Sequence, residues 1–223
     1  MSDFHFLRPQ ANWQGLRFYQ KSVVLYQLTY AFTKRYLHRG DRTVDQMVQA
    51  ARSGKQNIVE GSADGMTSTK MEVTLMNSAR GSLKELREDY EDYLDTRHLR
   101  WTKDHPRFQP MMDYTKTHNR VEDYARFIEQ GTAEEMANLG LTLTHQVDRM
   151  MMGYIKHLEH TFVEEGGIKE RMTAARLGRR QTQNEEIAAQ KQEIAALKTR
   201  IAELEAENVK LRGKIVKLVE NYV

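Results

Sequence analysis

Thr43-Val-Asp-Gln-Met-Val-Gln-Ala-Ala-Arg-Ser-Gly-Lys-Gln-Asn-Ile-Val-Glu-Gly61, followed by Thr69-Lys-Met-Glu-Val-Thr-Leu-Met-Asn-Ser-Ala-Arg-Gly-Ser-Leu-Lys-Glu-Leu86, reads as a helical hairpin. Val44, Met47, Val48, Ala51 and Ile58 recur three or four residues apart, as do Leu75, Met76, Ala79, Leu83 and Leu86. Thr43 with Gln46 and Thr69 with Glu72 have capping-box spacing, so each pair predicts a helix start. Gly61 predicts the end of the first arm and Gly65 lies in the loop.

Upstream, a helix is expected over about Leu16 to Leu37, after an extended lead-in from Phe6 to Trp13. It carries two stripes, one of Leu16, Tyr19, Val23, Tyr26, Tyr30 and Leu37, the other of Phe18, Leu25, Phe32 and Tyr36. Downstream, the hairpin's second arm should reach Asp95, with Tyr90, Tyr93 and Leu94 inward and the carboxylates outward. Residues 97–131 break the helical pattern but are too apolar for a free linker. Short helices are expected there, one near Val121 to Gln130, with Trp101 and Phe108 anchoring the segment. A fourth long helix starts at Thr132 or Ala133, capped by Thr132 and Glu135. Its stripe is Met136, Leu139, Leu143, Val147, Met151, Tyr154, Leu158 and Phe162.

Gly166-Gly167 interrupts the chain, and a basic segment over 168–182 precedes the most regular pattern in the sequence. Ile187, Ile194, Ile201, Asn208 and Ile215 fall every seven residues, with Leu197, Leu204, Leu211 and Leu218 at the second heptad position. These are the a and d sites of a coiled coil over 183–222. The flanking pairs Glu186–Lys191, Glu193–Lys198, Arg200–Glu205 and Glu207–Arg212 are of opposite sign. Ile at a, Leu at d and one Asn at a favour a parallel dimer. The domain plan is therefore 1–167, a basic connection over 168–182, and a coiled coil over 183–222, in an all-α protein.

The chain has no cysteine, so disulfides and thiolate chemistry are excluded. No apolar run approaches a membrane span, and Met1-Ser-Asp-Phe-His-Phe6 has no charged-then-apolar pattern, so a cytoplasmic address without membrane contact is expected. Net charge is only +3, but it is unevenly spread. Lys and Arg exceed Asp and Glu by nine to four in residues 1–60 and by twelve to eight from residue 168, and fall short by five to eight over 61–98. Such a distribution serves either charge complementarity within and between subunits or a phosphate-binding face. The candidate phosphate contacts are Lys34, Arg35, Arg39, Arg42 and Arg52, with Arg171, Arg176, Arg179 and Arg180. A helical wheel puts Lys55 and Glu72 on the inward stripes at similar heights, which predicts a structural ion pair.

No catalytic, cofactor or metal site is read from the sequence. The acids from Glu88 to Asp95 lack a loop cage, and His157 and His160 lie off the inward stripe. The Glu-x-x-His pairs of di-iron bundles are missing, as are phosphate-loop, nucleophile-elbow and zinc-protease motifs.

Gln46 to Gly61, Asn57-Ile-Val-Glu-Gly61, Lys70-Met-Glu72 and Gly81-Ser-Leu-Lys-Glu-Leu86 also resemble a known family. They are similar to the bacterial four-helix-bundle proteins first noticed in open reading frames of rRNA intervening sequences. The likeness covers about residues 12 to 163. Phe6-Leu-Arg-Pro-Gln-Ala-Asn-Trp13 and Glu164-Glu-Gly-Gly-Ile-Lys-Glu-Arg-Met172 resemble the subgroup with a four-helix-bundle suffix. The resemblance implies an up-and-down four-helix bundle that assembles as a ring, typically a pentamer. Related proteins include the accessory protein of diversity-generating retroelements, which binds nucleic acid and a reverse transcriptase through a basic ring. A fivefold ring and a two-stranded tail have mismatched symmetries.

Two functions follow as expectations. One is a non-enzymatic, homo-oligomeric accessory protein that binds RNA or DNA, with a reverse transcriptase as the partner the resemblance implies. The other is a structural oligomer or adaptor that gathers protein partners. A zipper-type DNA reader is a weaker alternative, because the basic segment is sparse, lacks the expected asparagine and contains Gly178.

Overall fold

A computed structural model describes Leu7 and residues 12–220, the last three by backbone alone. Every element among the described residues is helical: α1 (Arg17–Tyr36), α2 (Arg42–Asp64), α3 (Thr69–Asp95), α4 (Phe108–Thr117), α5 (Ala125–Gln130), α6 (Ala133–Glu165) and α7 (Ile168–Glu220). Two 3-10 turns, Trp13–Gly15 and Val121–Tyr124, precede α1 and α5. The rest of the lead-in from Phe6 lies outside the described residues, as do residues 221–223 and the side chain of Leu218. No helix among the described residues is long and apolar enough to cross a membrane. The chain divides into two units, one over residues 7–169 and one from Glu170 onward.

In the first unit α1 packs on α2, α2 on α3, α3 on α6 and α6 on α1. The core between them holds Leu25, Leu28, Phe32, Met47, Ile58, Met76, Leu86, Tyr90, Met136 and Val147. On α1 the Phe18–Leu25–Phe32 stripe is buried, whereas Tyr19, Val23 and Tyr26 are half-buried and Tyr30 is exposed. Phe32 meets Tyr93 edge-on, with ring centroids 4.8 Å apart. Tyr90 is fully buried and bonds Thr29 Oγ1 at 2.9 Å. Its ring occupies the space beside Gly140, where an added Cβ would come within 2.4 Å.

Two helix starts and one helix end differ from the sequence expectation. Asp41, not Thr43, caps α2, accepting from the Thr43 backbone N–H at 2.9 Å. Ser68, not Thr69, caps α3, accepting from Met71 N–H at 3.2 Å. That one-residue offset releases Glu72 from capping. Gly61 does not stop α2, which continues to Asp64. It serves close packing instead, since a Cβ there would lie 3.2 Å from Leu75 Cβ on α3. The Thr132–Glu135 capping box forms at the start of α6.

α3 ends in a hydrogen-bonded reversal: Leu99 N–H donates to Leu94 C=O at 2.9 Å and His98 N–H to Asp95 C=O at 3.3 Å. His98 takes φ 55°, the left-handed conformation this motif requires. The segment beyond folds onto α6. Asn138, buried on α6, accepts from Trp101 N–H at 2.8 Å and donates to Leu99 C=O at 2.9 Å. Trp101 is buried and Phe108 half-buried, while Tyr124, absent from the expected anchors, is fully buried.

α6 ends before Gly166, whose φ of 73° suits a residue without a side chain. α7 then runs without a break through Gly178, so the basic stretch 168–182 forms its first turns rather than a separate connection.

Candidate nucleic-acid interface

The partly solvated stripe of α1 brings tyrosines next to cations. Tyr30 is 49% exposed, and the Lys34 ammonium stands 5.6 Å from its ring centroid. Lys55 reaches across from α2 to lie 4.5 Å from the ring centroid of Tyr26. Lys55 is half-buried, and the group beside its ammonium is this tyrosine of α1 rather than a carboxylate of α3. No Lys55–Glu72 ion pair forms among the described residues: Glu72, 3% exposed, accepts from Tyr154 Oη at 2.7 Å. Its carboxylate occupies the space beside Gly65, where a Cβ would come within 2.3 Å of Oε2. The stripe spacing alone could not separate these outcomes, because Tyr26 and Tyr154 belong to helices whose rotation about α2 and α3 the hairpin does not specify.

Arg39, Arg42 and Arg52 are exposed. Arg35 is committed elsewhere. Its guanidinium donates to the carbonyls of Glu129, at 2.9 Å, and Ile128, capping the end of α5. The corner between α1 and α2 also contains acid. Asp41, Asp89, Asp92 and Arg97 line a depression of about 180 Å³ there. Burial, and then the neighbouring Asp92, Glu85 and Glu88, push the Asp89 carboxyl up to about 6. Asp41 is held below the usual carboxylate range, first by the Thr43 N–H.

A second basic surface lies between α3 and α6, where the sequence reading placed none. Arg80, Lys84 and Arg87 line an open groove of about 380 Å³ with Asn77, Thr144 and Asp148. Arg80 Nε donates to Asp148 Oδ1 at 2.6 Å, which fixes that arginine. The available signal was the i, i+4, i+7 spacing of the three cations, hidden by the net negative charge of residues 61–98.

Of the tail residues, Arg171 is half-buried and Arg176, Arg179 and Arg180 are exposed on α7. The zipper positions Ile187, Ile194, Leu197, Ile201, Leu204, Leu211 and Ile215 are between 42% and 59% exposed, and Asn208 is exposed. Arg200 bonds Glu203 of its own helix at 3.0 Å.

Among the described residues no group of three or more His, Cys, Asp or Glu could hold a metal ion. His157 and His160 are exposed, the latter 3.4 Å from Glu164. Comparison with protein-family models, curated proteins and solved structures gives no match.

Proposed function

We propose that this protein is a non-enzymatic, oligomeric accessory protein that binds nucleic acid. The observation that carries the reading is the tyrosine–cation strip of α1 and α2, Tyr26 with Lys55 and Tyr30 with Lys34. Unpaired bases stack on exposed aromatic rings while flanking cations attract the phosphates, which favours single-stranded RNA or DNA. Exposed Arg42 and Arg52 add positive charge on α2, and exposed Arg39 adds it in the turn between α1 and α2.

The closed packing circuit α1–α2–α3–α6 supports the further reading of an up-and-down four-helix bundle of the intervening-sequence type. On that reading a reverse transcriptase is the protein partner to test first, and the cytoplasm the place to look. The exposed Ile and Leu seam of α7 favours self-association, and it also supports the second reading, a structural adaptor without nucleic-acid affinity.

Filter binding of a labelled single-stranded RNA and DNA to the full chain separates the two. Binding that weakens in Y30A/K34A by about 1–3 kcal/mol supports the accessory role. Wild-type protein that retains neither polymer at low salt leaves the adaptor.

A further inference from the structure

The heptad register of α7 extends upstream of its apolar part. Counting back from Ile187, the inward positions are Gln183, Arg180, Arg176, Thr173 and Lys169. Because α7 is continuous from Ile168, these residues lie on the same stripe as Ile187, Ile194 and Ile201. Along one heptad stripe the seam thus changes from mostly apolar to polar and cationic. Both arginines are exposed.

The occupant that the charges beside the apolar part fit is a second copy of the chain. The g and e residues beside it pair with opposite sign in a parallel, in-register dimer at Glu186–Lys191, Glu193–Lys198 and Glu207–Arg212. In that same register Arg176 and Arg180 of one copy face their own counterparts. Four guanidiniums would then converge where coiled-coil packing places side chains closest together, and like charges there oppose pairing.

We infer that the two α7 helices pair from Ile187 onward and separate below it, and that the fork so formed holds the phosphodiester backbone of a nucleic acid between Arg176 and Arg180 of both copies. This rests on the nucleic-acid reading above and deepens it: Arg176 and Arg180, already candidate phosphate contacts, become one site made by two chains, on a different helix from the tyrosine–cation strip. The phosphates neutralise the opposed arginines, so binding and pairing reinforce each other. The contact is to the backbone, not to base edges. It therefore needs none of the base-reading side chains that the segment lacks.

The test uses the full chain, with a labelled single-stranded RNA and a DNA duplex as separate probes and sedimentation equilibrium for self-association. Arg176→Leu/Arg180→Leu continues the apolar seam, so self-association should tighten by about tenfold while nucleic-acid binding weakens. With duplex DNA, the slope of log affinity against log salt should fall by about 3–4 for four lost phosphate contacts. Arg176→Gln/Arg180→Gln should lose binding likewise without a gain of apolar contact, and its circular dichroism checks that the helix is retained. Whichever probe loses affinity identifies the polymer. The fork is overturned if the Leu variant self-associates no more tightly than wild type, or if wild type binds and both variants bind equally well. Wild type that binds neither probe instead removes the general nucleic-acid reading, and the fork with it.

Discussion

Lys21 of α1 donates from Nζ to the carbonyl oxygen of His118 at 2.8 Å, across 97 residues of sequence. It also donates to the carbonyl of Thr115, in the last turn of α4. The side chain is 2% exposed, and it ties the long connection to the core. Burial pulls the ammonium down to about 8, opposed by the nearby Asp123 carboxylate and assisted by Arg17.

The sign of the resulting pH dependence follows. Between about pH 8 and the unfolded lysine value near 10.4, the unfolded chain holds a proton that folded Lys21 has released. Stability from this group therefore rises with pH in that window, with a slope of up to about 1.4 kcal/mol per pH unit. Above pH 10 the buried Tyr90 and Tyr124, whose pKa values are raised by burial, act in the opposite sense. Urea unfolding of wild type and Lys21→Met from pH 7 to 10 should show the rise only in wild type.

Thr29 and Tyr90 form a buried hydroxyl pair. Thr29 Oγ1 donates to Leu25 C=O at 2.7 Å, which leaves it to accept from Tyr90. Tyr90→Phe should cost about 1 kcal/mol, and Thr29→Val about 2 kcal/mol because it strands the phenol. The double variant should cost less than the sum, measured as a cycle by denaturant unfolding.

His98 holds a left-handed φ of 55° at the end of α3, the position that glycine usually fills. His98→Gly should raise stability by roughly 0.5–1 kcal/mol by relieving that strain. A lower urea midpoint in the variant would show that the imidazole contributes more than the backbone costs.

Asn208 stands at an a position in an otherwise Ile-rich series. One asparagine there fixes strand number and register while lowering stability. Asn208→Ile should raise the melting temperature of the tail and give mixed oligomers by sedimentation equilibrium. A monomeric wild type would remove the zipper reading altogether.

Long amphipathic helices were legible in the sequence because the period of their apolar residues is a local property. The spans of α1, α3 and α6 fall close to the expected ones for that reason. Their ends were harder, since Asp41 competes with Thr43 and Ser68 with Thr69 over a single residue step. Gly61 carries the same local signal whether it ends a helix or admits a neighbour, and only the approach of Leu75 decides. Lys21 was invisible for a stronger reason. The carbonyls that make its burial tolerable lie 94 and 97 residues away. Arg35 likewise looked like a surface cation until α5 arrived to use it. The basic groove of Arg80, Lys84 and Arg87 was masked by averaging charge over a segment whose own acids do not line it.

The length of the connection between α3 and α6 bears on how the nascent chain survives synthesis. When α3 leaves the ribosome, Leu28, Phe32, Leu86 and Tyr90 have only three of the helices that will enclose them. At translation speeds of about 5–20 residues per second the closing helix is complete roughly 4–14 seconds later. Through that interval the incomplete assembly presents an oily flank, the kind of surface that holdase chaperones recognise.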